Sequence, residues 1–182
     1  MKRRVPKIVL LLCVLTLGLS CAVPGDTERQ QTDNAVPAQD TDTTSAQAQT
    51  SGMNTVLTTQ AWEAYNRKDY KAAIESADKC INEFLGRAMR DQEELAAKKV
   101  PLPPIGVVSN QEKQVIFARG LLNDVATCLY IKGRSLEAEG QKDQAVKVYK
   151  ATAKYTYARC WDTQGWFWSI SEGALDRLRM LR

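Results

Sequence analysis

The chain has 182 residues, five cysteines and no histidine, with 25 Lys plus Arg against 21 Asp plus Glu and a formal net charge of +4. Four of the basic residues, Lys2, Arg3, Arg4 and Lys7, stand at the very start, so the rest of the chain carries as many acids as bases, interspersed, and shows no nucleic-acid footprint. The lack of histidine, of a Gly-rich phosphate loop after a strand and of cysteine pairs at metal-ligand spacing argues against cofactor, metal and most acid–base chemistry.

Residues 8–19 are almost wholly apolar and small residues follow at Ser20, Cys21 and Ala22, so residues 1–21 read as a signal peptide. The apolar run is about a dozen residues, short of the roughly 20 that a membrane-crossing helix needs. Leu17-Gly18-Leu19-Ser20-Cys21 resembles the bacterial lipobox, which implies a lipidated Cys21 at the mature N-terminus. Cleavage near Ala22 with Cys21 discarded is the other reading. An Ala22 rather than an aspartate after the cysteine implies an outer-membrane lipoprotein facing the periplasm. Residues 22–53 contain no aromatic side chain and only Val23, Val36 and Met53 as larger apolar groups, too little to offset the entropy of ordering, and read as a disordered tether.

Residues 54–182 carry apolar side chains at helical spacing with no strand alternation, which predicts a single all-α domain. Leu57, Ala61, Trp62, Ala64 and Tyr65 mark a first helix that ends in the polar turn 66–69. A second helix of nearly thirty residues starts at Tyr70, with Gly86 inside it as a place for a bend. Pro101, Pro103 and Pro104 end it. Ser109 or Asn110 caps a third helix, with Glu112 as capping-box partner and an apolar stripe from Val115 through Leu136. A fourth helix runs from Ala145 to about Arg159. Asp162 then caps a fifth, 163–181.

Two stretches can be laid over each other, Leu57…Ala61…Ala64…Ala73…Ala77 and Leu129…Gly133…Leu136…Ala145…Tyr149. Both resemble the tetratricopeptide repeat, a helical hairpin of about 34 residues with small residues where its helices touch. Ala61 and Gly133 fill the first small position, Ala73 and Ala145 the second. The stretches lie about two repeat lengths apart, so the resemblance implies a short array of two repeats with extended inner helices, plus a C-terminal capping helix. Segments 121–127 and 160–168 are likewise similar to a group of bacterial tetratricopeptide proteins. The family holds partners on a concave face, which carries over here to Thr58, Trp62, Tyr65, Tyr130, Arg134 and Glu137. An aromatic groove with one arginine suits a peptide ligand.

Trp161, Trp166, Phe167 and Trp168 form the densest aromatic cluster, suited either to closing the core or to stacking on sugars or a partner. Three consecutive residues cannot all point inward, so at least one of 166–168 is expected at the surface. A two-carboxylate glycan hydrolase needs no histidine. Its candidates, Glu137 with Glu139 and Asp91 with Glu94, fall where solvated helix faces are expected. Of the cysteines in the domain, Cys80 reads as a small buried hydrophobe and Cys128 with Cys160 as the expected disulfide pair. Together these features predict a lipid-anchored interaction or scaffold module of the bacterial cell envelope, not an enzyme, with no cofactor and a protein partner. A protein that binds or cleaves glucan or peptidoglycan through Trp161, Trp166 and Trp168 is the alternative.

Overall fold

The structure, a computed structural model, describes residues 52–182. The expected signal peptide, its lipidation residue Cys21 and the tether up to Ser51 lie outside the described residues. No described helix is long and apolar enough to cross a membrane.

Six helices and one small hairpin follow in chain order: α1 Met53–Asn66, α2 Tyr70–Ala97, α3 Asn110–Phe117, α4 Gly120–Ala138, α5 Lys142–Thr152, β1 Arg159–Asp162, β2 Trp166–Ser169 and α6 Ile170–Met180. The polar turns sit where the sequence puts them. Lys68 adopts φ 63 so that the Asp69 amide can donate back to the Ala64 carbonyl, and the Asp69 side chain caps α2 by accepting from the Ala72 amide. Gly140, at φ 77, ends α4 in the same way, with the Gln141 amide on the Leu136 carbonyl. Helix α2 continues past Gly86, because that residue is exposed on the outer side while Ala77, Cys80, Phe84 and Ala88 are fully buried on the inner one.

Small residues set how closely the hairpins close. Ala61, Ala73 and Ala145 have no solvent exposure, and a Cβ on Gly133 would fall 2.5 Å from Cε1 of the buried Tyr149 ring. The Tyr149 ring therefore packs directly on the α4 backbone at Gly133. Around it the core is built from Phe84, Leu122, Ile131 and Ile170, drawn from α2, α4 and α6.

The structure corrects the expected elements in four places. The third helix is broken, for Ser109 and Glu112 form the capping box of α3 but α3 stops at Phe117. The buried Asn123 side chain captures the Ile116 carbonyl with its amide at 2.8 Å, so the chain turns before α4 begins. The fourth helix ends at Thr152, not Arg159, because Ser171 donates to the freed Ala153 carbonyl at 2.7 Å and the Tyr157 amide donates to Gln92.

The largest correction is the hairpin, where strand pairing replaces the expected start of a fifth helix. Asp162 is not a helix cap. Its carbonyl accepts from the Gly165 amide and its side chain from the Gln164 amide, closing a turn in which Gly165 takes φ 102. Ser169 caps α6 instead, accepting from the Glu172 amide. Finally, Cys128 does not face Cys160. Like Cys80 it lies against the Thr58 hydroxyl of α1, and all three described cysteines are free thiols.

Candidate functional site

The hairpin register pairs Cys160 with Trp168 and Asp162 with Trp166 on one face, and Arg159 with Ser169 and Trp161 with Phe167 on the other. The two faces have different work. Phe167 is 1% exposed and packs on Trp161 at 4.8 Å between ring centroids and on Phe117 at 5.6 Å. Gly106, from the proline loop, exchanges both backbone hydrogen bonds with Phe167, so the loop extends the hairpin edge. Below it the buried Arg159 guanidinium donates to the carbonyls of Pro103, Pro104, Thr156 and Ala158. That side of the hairpin is a fastening.

The other face looks across a cleft of about 650 Å³ toward α1 and α4. Trp166, Trp168, Cys160 and Asp162 form one wall, and Trp62, Asn66, Tyr130 and Arg134 the opposite one. Its size is that of sites that hold small ligands or side-chain clusters. Trp168 meets Tyr130 edge to face at 5.1 Å, an approach that requires Gly173, whose Cβ would lie 3.0 Å from the Trp168 ring. Trp161 reaches the cleft only at its rim and carries Lys113 Nζ 4.0 Å over its ring. Trp161 and Trp166 are each 37% exposed, so aromatic surface stays open at the mouth.

Arg134 is the one basic side chain that lines this cleft. Its guanidinium lies 5.5 Å from the Tyr65 ring centre and 5.9 Å from that of Tyr130, whose hydroxyl it reaches at 3.4 Å. Burial works against its charge, but the hydrogen bond to Tyr130 and the fields of Tyr130, Tyr65 and Tyr149 outweigh that and raise its pKa. Among the described residues no carboxylate forms an ion pair with it.

Of the residues picked from sequence, the structure thus brings Trp62, Tyr130, Arg134, Trp161, Trp166 and Trp168 to one cleft, with Tyr65 behind Arg134. Two others do not belong to it. Thr58 is buried against the cysteines. Glu137 accepts from both Nε and Nη2 of Arg177 and from the Tyr149 hydroxyl at 2.9 Å, fastening α4 to α5 and α6. The remaining carboxylate candidates are engaged or solvated: Glu139 accepts from Gln141, and Glu94 pairs with Lys98 on an exposed face. Asn66, Asp162 and Gly173 join the cleft without a sequence signal, since the hairpin that assembles them has the spacing of a helix in sequence. A second hollow of about 380 Å³, between α2 and the end of α5, is lined mainly by Leu85, Met89, Leu129 and Tyr155; its Gln92 is already engaged by Thr156 and Tyr157.

Glu137 has a pH consequence. Burial raises its pKa, but the hydrogen bonds from Arg177 and Tyr149 outweigh burial and hold the carboxyl below its ordinary value. A group with a depressed folded pKa stabilises the fold above its unfolded pKa, about 4.3, and that contribution is lost as pH falls through the folded value. Asp124 acts in the opposite sense, because burial raises its pKa against the hydrogen bonds from Thr55 and Asn54. Urea midpoints measured between about pH 3 and pH 6 should therefore fall less steeply on acidification in Glu137→Gln than in the wild type. An unchanged acid slope would refute the assignment.

No family model matches the chain, and the searches of the curated proteins and of the solved structures return no match either.

Proposed function

We propose that the chain is a lipid-anchored, tetratricopeptide-like binding module of the bacterial envelope whose cleft receives an acidic group of a protein partner. The observation that carries this is Arg134, a half-buried guanidinium that forms no ion pair among the described residues, held in the wall of an aromatic cleft. A carboxylate entering there would gain a charge-assisted hydrogen bond in a partly dry site, and its neighbouring side chains would be covered by Trp62 and Trp166. Anchoring and export rest on the charged start, the apolar run and the lipobox-like residues before Cys21; acyl mass on the mature N-terminus is the readout for that part.

The glycan reading keeps one observation in its favour, the exposed indole surface of Trp161 and Trp166 at the mouth. Selection of a random peptide library on the full chain, beside immobilised glucan and peptidoglycan, separates the two. The expected outcome is enrichment of acidic peptides, with binding weakened about tenfold or more by Trp166→Ala and by Trp62→Ala. Retention by a polysaccharide that Trp166→Ala abolishes, with no peptide enriched, would replace the proposal by the glycan reading.

A further inference from the structure

Cys80 on α2 and Cys128 on α4 are both fully buried, and each lies against the Thr58 hydroxyl of α1, with Sγ at 4.0 Å and 3.2 Å respectively. Thr58 donates its own proton to the Asn54 carbonyl at 2.8 Å, so toward the two sulfurs it acts as an acceptor. One hydroxyl thus borders both sulfurs, which come from the neighbouring helices α2 and α4. Cys160 is excluded from the pair, since it sits on β1 with its side chain on the cleft face opposite Trp168.

The geometry points to a disulfide site between Cys80 and Cys128, formed by exchange with a disulfide-bearing oxidant and closed over by α1. In the first step the Cys80 thiol loses its proton and its sulfur attacks one sulfur of the oxidant. The oxidant's disulfide breaks, one of its sulfurs stays bound to Cys80 and the other leaves as a thiolate. Cys128 then loses its proton and attacks Cys80 Sγ, forming the internal disulfide and expelling the second thiolate. Two thiol protons are released and two electrons pass to the oxidant, which ends as two thiols. Cys80 is the first to ionise, since the neighbouring Cys128 thiol favours its thiolate, while Cys80 itself and burial hold the Cys128 thiol up. With both sulfurs sealed, the exchange takes place while α1 is undocked, in folding or in local opening.

The bond would close a loop that contains the second half of α2, the proline segment and α3. It would thereby constrain the region that Arg159 and Phe167 fasten in the thiol form. This site is independent of what the cleft binds, and no export reading is needed to test its geometry.

The test is to oxidise the reduced full chain with oxidised glutathione in mild urea, which lets α1 open, remove the urea, alkylate and map peptides without reduction. One cross-linked pair carrying Cys80 and Cys128 is expected, unchanged in Cys160→Ser and absent in Cys80→Ala. Oxidation should also raise the Tm by on the order of 10 °C. The inference is overturned if Cys80 and Cys128 are both recovered alkylated or glutathionylated, or if either is linked to Cys160.

Discussion

Arg159→Met should destabilise the domain by about 3 kcal/mol and release the proline loop. This side chain is only 5% exposed and forms no ion pair among the described residues, which is an unusual place for a charge. What holds it is backbone: Nε on the Pro103 carbonyl at 3.0 Å, Nη2 on the same oxygen, and Nη1 on Thr156 and Ala158 at 2.9 and 2.8 Å. Methionine fills much of the volume but leaves those buried carbonyls unpaired, at about 1–3 kcal/mol each before relaxation. The relief of burying a cation, visible in the lowered pKa of Arg159, offsets part of this. Arg159→Lys should recover little, because an ammonium lacks the planar fork that reaches carbonyls on two sides. The readout is the urea midpoint together with hydrogen exchange of the Gly106 amide, which donates to Phe167 at 2.7 Å. Loss of Gly106 protection beyond the global loss is expected. A midpoint within about 0.5 kcal/mol of wild type would contradict the role given to Arg159.

Gly133→Ala should cost about 2 kcal/mol although alanine is the better helix former by about 1 kcal/mol. The added Cβ would lie 2.5, 2.8 and 3.0 Å from Cε1, Cδ1 and Cζ of Tyr149, inside the ring's own contact distance. Tyr149 has little freedom to move, being fully buried, packed 6.1 Å from the Tyr130 ring and hydrogen-bonded to Glu137. Overpacking costs about 1–3 kcal/mol, and a displaced hydroxyl forfeits a charge-assisted bond of about 1.5 kcal/mol or more. Gly86→Ala is the matched control. Its Cβ would meet only Arg90 Nη1, at 3.7 Å, so the same substitution there should stabilise by about 0.5–1 kcal/mol. If both variants shift the urea midpoint upward, the close contact between α4 and α5 is not the constraint described.

The helical part of this fold was legible because its signals are local. Asp69 before α2, the Ser109–Glu112 box before α3 and the prolines after α2 each act within one turn of chain, and the structure uses all of them. The close-contact role of Gly133 was legible too, as the small residue of a helical hairpin. The hairpin β1–β2 was not. Four-residue strands show too little alternation to separate from a helix, and Trp166-Phe167-Trp168 fits either period. The deciding cue is Gly165, three residues after Asp162, a position that helical spacing equally accommodates. Arg159, Glu137 and Cys128 depend on partners far along the chain, on Pro103, Arg177 and Thr58 respectively, and no local pattern announces them. The cleft stands between these cases. Its aromatic residues and Arg134 stood out one by one, but the hairpin that joins Trp62 and Arg134 to Trp166 and Trp168 had to be seen.

The role proposed for Arg134 is to receive an acidic group inside this cleft. It is tested most directly by equilibrium binding of one selected acidic peptide, in its acid form and with the acid converted to an amide, to the full chain and to Arg134→Gln. Amidation and Arg134→Gln should each weaken binding tenfold or more, and together hardly more than either alone, as expected when both remove one shared contact. Equal binding of the acid and amide forms, or losses that multiply in the combination, would contradict it.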